Sequence, residues 1–186
     1  MRKSFINTGG RVISKIIKPS PQSTNKKDIL MPQPDNLWWE IIVEDPEFLS
    51  GESVCAMLPI AIDYFKAHYV VVIGEKGLIE CFSTPNTTLC HRIVLSADEL
   101  IRLLPAIVQV DWGDFYFCTK ESECTVITLE MPIDVSIGKS VFTARAVDNG
   151  WMYFYTQDIL LKDILVVQYG NVTYQHGRLE DFTYPY

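Results

Sequence analysis

The residue types that most often carry chemistry are few in this chain and widely spaced. The close groupings of cysteine and histidine are Cys81 with Cys90-His91, and Cys118 with Cys124. Neither has the paired C-x-x-C type of spacing, with a second ligand pair, that a tetrahedral zinc site needs. Adjacent Cys90 and His91 would also point to opposite faces of a strand. We therefore expect core thiols and no metal.

Motifs for nucleophilic or cofactor chemistry are also missing from the sequence. It contains no G-x-S-x-G elbow and no glycine-rich loop of the phosphate-binding kinds, so no cofactor is predicted. The histidines His68, His91 and His176 leave open a Cys–His pair that is assembled only in the fold. A small hydrolase with such a pair, or with a spatially assembled acid pair, is the alternative function.

One segment brings two carboxylates close together, Asp111-Trp112-Gly113-Asp114. Two such groups serve as acid and base in glycosidases, and the hydrolase alternative predicts a concave pocket lined by Asp111, Asp114 or His91. Between two apolar stretches, however, these residues are typical of a tight turn in which the glycine takes a positive φ. Indoles flanked by acids are common contact residues at protein interfaces. Asp111, Trp112 and Asp114 are therefore the predicted partner-binding residues.

Charge divides the chain into two unlike parts. Residues 1–27 carry seven basic and no acidic side chains, whereas residues 28–186 carry 9 basic and 23 acidic ones, a balance of −14. Such a body repels phosphate backbones, which argues against nucleic acid as its partner. A basic protein fits as a partner because opposite potentials speed encounter. The simpler alternative is that the acidity only keeps the protein soluble.

Composition is that of an ordinary folded domain. The chain has 186 residues, 48% of them hydrophobic and 21% charged, which excludes disorder, collagen-like structure and coiled coil for most of its length. No apolar run approaches the roughly 20 residues that span a bilayer. Five cysteines, an odd number whose spacing matches no disulfide framework, favour a reducing, cytoplasmic compartment.

The first 36 residues are predicted to lie outside the folded domain. They form a basic N-terminal arm with a proline-rich linker, and residues 37–186 form a single α+β domain. Within the arm, residues 11–18 place apolar side chains on one helical face with basic side chains beside them, as in a short amphipathic helix. Such a helix could lie on an anionic membrane or on an acidic protein surface, and of the alternatives we expect it to pack on its own acidic domain.

The domain itself is predicted to hold two helices packed on a mostly antiparallel meander sheet. One helix covers residues 51–67 and is interrupted at Pro59, and the other covers residues 97–104 behind a Ser96–Glu99 capping box. Hairpins are predicted at 74–77, at Asp148-Asn-Gly150 and at 169–172. Trp38, Trp39 and Trp151 are predicted core residues. The predicted strands cover residues 37–43, 69–73, 78–82, 108–110, 115–118, 125–131, 141–147, 151–156, 164–169 and 172–175.

An acidic α+β domain of this size, with cysteines in no disulfide pattern and no catalytic motif, resembles in general character the immunity proteins of bacterial polymorphic toxin systems. Those are small cytosolic proteins that bind a cognate toxin domain and block its active site. The resemblance implies a non-enzymatic inhibitor whose acidic face meets the basic substrate cleft of a toxin domain, such as a nuclease or a nucleotide-transferring enzyme.

Overall fold

The structure, a computed structural model, describes residues 36–44, 49–82, 91–148, 150–169 and 171–185. The predicted arm and linker therefore lie outside the described residues except for Asn36, as does the helix predicted over residues 11–18. Cys90 and Asn149 also lie outside them.

A seven-stranded antiparallel sheet, with strand order β3-β2-β4-β5-β6-β1-β7, forms the centre of the domain. Together with helices on its faces, it confirms the predicted α+β fold. The order is not that of a simple meander, because β1 lies between β6 and β7. The strands are β1 (Trp38–Glu44), β2 (Tyr69–Gly74), β3 (Arg92–Ser96), β4 (Trp112–Cys118), β5 (Phe142–Val147), β6 (Trp151–Thr156) and β7 (Val172–Gly177).

Helices and turns cover both faces of the sheet. The helices are α1 (Gly51–Met57), α2 (Pro59–Phe65), α3 (Lys76–Phe82), α4 (Ala97–Leu103), α5 (Glu121–Cys124), α6 (Ile133–Ile137) and α7 (Ile159–Tyr169). Helices α1 to α4 and α7 pack on one face, which we call the helix face, around Phe115, Phe117, Phe142 and Phe154. The other face lies under α5, α6 and the segment from Leu179 to Tyr184, and we call it the tail face.

Local signals placed the first helices correctly. Pro59 divides the predicted helix over 51–67, because it has no amide hydrogen to donate and so begins α2 rather than continuing α1. The capping box at α4 is present: the Ser96 hydroxyl accepts from the Glu99 amide at 3.2 Å, and the Glu99 carboxylate accepts from the Ser96 amide at 3.0 Å. The hairpin between β5 and β6 is confirmed, with Asp148 at a φ of 50°.

Several predicted strands are wrong. Residues 78–82 lie in helix α3, residues 164–169 lie in α7, and residues 125–131 form turns, so the hairpins predicted at 74–77 and 169–172 are also wrong. Short apolar runs do not distinguish a strand from a buried helix. The predicted strand over 108–110 is irregular backbone, and strand β3 was not predicted.

Gly51 allows α1 to lie directly against the turn that follows α4. Its amide donates to the Ile107 carbonyl at 2.9 Å, and a Cβ atom at this position would lie 1.8 Å from the Leu104 carbonyl oxygen. We expect Gly51→Ala to lower the free energy of unfolding by at least about 1–3 kcal/mol, the usual cost of overpacking, as measured by urea denaturation. The matched control is Gly77→Ala in α3, where a Cβ atom meets nothing within 4 Å. Equal stability of the two variants would contradict the close approach.

Candidate functional site

One row of side chains crosses four strands at one end of the sheet. Glu44 of β1 pairs with Trp151 of β6, Trp151 pairs with Val147 of β5, and Val147 pairs with Trp112 of β4. Directly paired residues in antiparallel strands project from the same face. Because Trp112 packs in the core of the tail face, the whole row lies on that face.

Exposed acidic residues surround this row. Strands β1, β2 and β5 end here, and an exposed acid lies at the end of each strand or directly after it: Glu44, Glu75 and Asp148. Strand β4 begins here, directly after exposed Asp111. The pairing of Gly74 with Gly113 places β2 beside β4 at this end. We call the acids Glu44, Glu75, Asp111 and Asp148, together with Trp112 and Trp151, the acidic end.

The opposite end of the sheet has mixed charge. Four exposed basic residues lie there, each within three positions of a strand terminus: Lys66, Lys120, Lys139 and Arg178. Exposed acids, among them Glu121 and Glu180, also lie at this opposite end of the sheet. At the acidic end, Lys76 follows Glu75 at the start of α3. Arg92 at this end is half-buried, and its guanidinium donates to the carbonyls of Cys124 and Ile127 at 2.8 Å.

The tryptophans differ in exposure. Trp38 is buried as predicted, and Trp39 is half-buried against His176, with ring centroids 4.2 Å apart. Trp151 is 38% exposed, so the prediction that it belongs to the core is wrong. Trp112 is half-buried, and its indole nitrogen is buried without a hydrogen-bond partner among the described residues. The acidic end thus presents one open indole beside a second that is partly covered.

Asp114 lies in the core rather than at the surface. It is 2% exposed, its Oδ1 accepts from Nε of Arg145 at 2.6 Å, and its Oδ2 accepts from the Tyr116 hydroxyl at 3.3 Å. Burial raises the pKa of Asp114, and the guanidinium of Arg145 opposes that rise. This placement corrects the prediction that Asp114 contacts a partner. The turn predicted at Asp111–Asp114 is also wrong, because Trp112 to Asp114 begin β4.

The ion pair belongs to a larger buried polar cluster on the tail face. Arg145 donates from Nη2 to the Pro185 carbonyl at 3.2 Å, and the Tyr184 ring centroid lies 5.8 Å from its Cζ. Its Nη1 has no partner among the described atoms. Nearby, the buried carboxylate of Glu40 accepts from the Tyr155 hydroxyl at 2.9 Å. The C-terminal segment is therefore part of the structure that satisfies a buried guanidinium.

The residues of the hydrolase alternative do not line the groove that the structure shows beside β3. A groove of about 400 Å³ beside β3 is lined by Arg92, Val94, Thr125, Thr128, Leu129 and Glu130, a set that lacks Asp111, Asp114 and His91. His91 is exposed, and its Nδ1 lies 3.3 Å from the Gly74 carbonyl oxygen. The described ranges hold no cluster of three metal-ligating side chains. They also hold no helix with the length and apolar character to cross a bilayer.

Two of the cysteine thiols lie in the core, as the sequence indicated, whereas Cys81 in α3 is exposed, so the prediction of a core thiol is wrong for Cys81. Cys118 and Cys124 are buried on the tail face, and both are free. Burial raises the pKa of each thiol. Because the thiolate is the nucleophile and the metal ligand, burial of this kind disfavours reaction or metal binding at either sulfur.

Breaking the buried ion pair by removing one partner leaves the other charge uncompensated. We expect Arg145→Met to lower the free energy of unfolding by about 3–5 kcal/mol, as measured by urea denaturation. In the double variant Asp114→Leu/Arg145→Met, apolar side chains replace both charges, and most of that loss should be recovered. A double variant as unstable as Arg145→Met would contradict this account.

The tyrosines of the tail face should titrate late. Burial raises the pKa of Tyr116, Tyr155 and Tyr184. Outside the tail face, in α2, burial together with Asp158 raises the pKa of Tyr64 to about 12. Their neutral forms stabilise the fold fully below the unfolded pKa of about 10, and that contribution is lost as pH rises above it. Phenolate absorbance should therefore rise in two stages as pH increases. The exposed tyrosines ionise first, and the buried ones ionise in a second stage, when the protein unfolds at alkaline pH. Tyr155→Phe should reduce the second stage, and a single transition near pH 10 in the folded protein would refute the assignment.

Comparison with known proteins supplies no relative from which a role could be transferred. No protein family, curated protein or solved structure matches this chain. The resemblance in general character to immunity proteins therefore stays a prediction.

Proposed function

We propose that this chain is a non-enzymatic binding protein that docks its acidic end onto a cationic protein surface. The partner in this proposal is a toxin domain whose active site the acidic end occludes. One observation carries the proposal: the strand register brings exposed acids from three strand ends and one strand start together around two indoles.

Charge and indole would contribute differently to such a complex. Exposed carboxylates add little affinity one by one, because water and salt screen them, but together they attract a cationic partner and raise the association rate. Trp151, with 38% of its surface exposed, offers a rigid apolar group that a partner can cover. A lysine or arginine placed over its ring would gain a cation–π contact that carboxylates nearby reinforce.

Asp114 lies beneath the acidic end and stabilises the strands that carry it. It lies two residues beyond Trp112 on β4, and its bond to Arg145 joins β4 to β5 one row beneath Trp112 and Val147. A contact surface built on rigid strands loses less conformational entropy on binding than one built on loops. Asp114 is therefore a positioning residue for the acidic end.

The choice of a toxin domain as partner follows from the chemistry of active sites that act on nucleic acids or nucleotides. Such clefts are basic because their substrates are anionic. A surface that carries several carboxylates around an indole can occupy such a cleft and exclude the substrate. The resemblance to immunity proteins in size, acidity and lack of catalytic motifs supports the same choice.

The proposal is tested with the product of the gene adjacent to this one, co-expressed with the full chain. We expect this chain to rescue growth and to form a complex whose affinity weakens with salt. Glu44→Lys/Asp111→Lys should reduce affinity by on the order of tenfold or more and abolish rescue. The reason is that charges at the rim of an interface control the rate at which the partners associate. Asp148 is left unchanged because its φ of 50° favours Asp or Asn.

The matched control reverses two exposed acids outside the acidic end, Asp63→Lys/Glu180→Lys, which leaves the same net charge. This control should retain rescue. Trp151→Ala should weaken the complex by at least about thirtyfold, the effect of removing a hot-spot side chain. Absence of a complex at micromolar concentration and low salt, or equal loss in both charge-reversed variants, would overturn the proposal.

A further inference from the structure

Strand β7 forms one edge of the sheet, and no described residue pairs with its outer side. Within the described ranges, β7 pairs with β1 alone, over six consecutive residues from Trp38–Gly177 to Val43–Val172. Its four central residues, Thr173, Tyr174, Gln175 and His176, are all exposed. An edge strand of this kind presents a row of backbone donors and acceptors that another strand can pair with.

Strand β7 also lacks the features that usually protect an edge. It contains no proline and no lysine, arginine, aspartate or glutamate, and its register with β1 has no bulge. The other edge strand, β3, is shorter and half-buried, and the side chain of Arg92 ties it to the segment around Ile127. The two edges of the sheet are therefore not equivalent, and among the described residues β7 is the one without protecting features.

The helix that precedes β7 continues this uncharged surface. Residues 159–177 contain one lysine and one aspartate, Lys162 and Asp163, and these pair with each other. The Lys162 ammonium lies 5.0 Å from the Tyr174 ring centroid, so its side of α7 faces β7. Ile159 and Val166 lie three residues before and four after Lys162, on the same side of the helix. Ile159 is 53% exposed and Tyr174 is 51% exposed.

We propose that a second copy of this chain pairs along β7 in antiparallel fashion, forming a two-fold symmetric dimer with a continuous sheet. The charge distribution favours a second copy over a cationic partner, because this face has no net charge on an otherwise strongly acidic body. Two copies can approach here without repulsion, and a cationic protein gains nothing here. When β7 pairs with β7 of a second copy in antiparallel fashion, a two-fold axis relates the two strands. Each copy then contributes the same surface, so no other complementary surface is needed.

The two-fold axis also determines where the helices and the acidic ends of the two copies lie. A two-fold axis perpendicular to the sheet keeps both α7 helices on one face, where Ile159, Val166 and Tyr174 of each copy border the cleft between them. The same axis reverses the strand direction, so the two acidic ends point in opposite directions. The dimer would thus offer two separate acidic ends. The interface does not depend on the proposed function.

The test is the mass of the full chain by light scattering after size exclusion, over a range of loading concentrations. We expect a mass that rises to twice that of the chain, together with slower amide exchange in residues 172–177 at high concentration than at low. Thr173→Lys places a charge on the uncharged edge and should shift the protein to monomer. The matched control is Thr128→Lys, at an exposed threonine in a turn away from β7, and it should remain dimeric.

Circular dichroism is used to check that both variants are folded, and the exchange measurement on the unmodified chain needs no variant. A single-chain mass at every concentration would overturn the proposal, as would equal dimerisation of the two variants. The outcome is separable from that of the proposed function. Monomeric Thr173→Lys should still bind a cationic partner through its acidic end, whereas Glu44→Lys/Asp111→Lys should still dimerise.

Discussion

The buried ion pair between Asp114 and Arg145 is the interaction on which the tail face of the sheet depends. Two charges removed from water are tolerated only with close contact and with further hydrogen bonds to the remaining polar atoms. Here the contact is 2.6 Å, and Tyr116 and the Pro185 carbonyl supply further bonds. The tail face therefore needs a cover that can accept hydrogen bonds, and the C-terminal segment provides it. The helix face has no such requirement and is built around phenylalanines and aliphatic side chains.

The same pair explains why the acidic end can be a stable surface. Strands β4 and β5 are central in the sheet, and the Asp114–Arg145 bond ties them one row beneath Trp112 and Val147. Val147 is buried although it lies at the end of its strand, beside two indoles. Mutually repelling carboxylates at the strand ends are thus held on a rigid base. Together these carboxylates give this end of the sheet a negative potential, on which the proposed docking of a cationic protein rests.

Sequence patterns predicted the elements whose signals are local. Strand β1, the division at Pro59, the Ser96 capping box and the β5–β6 hairpin depend on residues within a few positions of one another. Helix α7 and strand β3 depend on tertiary context instead. Helix α7 is apolar on nearly every side, so it carries no clear helical period, and a short apolar run fits either kind of element. Of the predicted contact residues, Asp111 is exposed, Trp112 is half-buried and Asp114 is buried. These differences arise from pairing across the sheet.

The sequence by itself determined the α+β class, the division between a basic first segment and an acidic remainder, and the helix caps. Each of these follows from composition or from contacts between near neighbours in the chain. Only the tertiary structure decided that Asp114 is internal, because its partner Arg145 lies 31 residues away on another strand. Strand order likewise decided which acids share one end of the sheet and which strand is left at its edge. Pairing between distant strands sets these placements, and no local pattern specifies which strands pair.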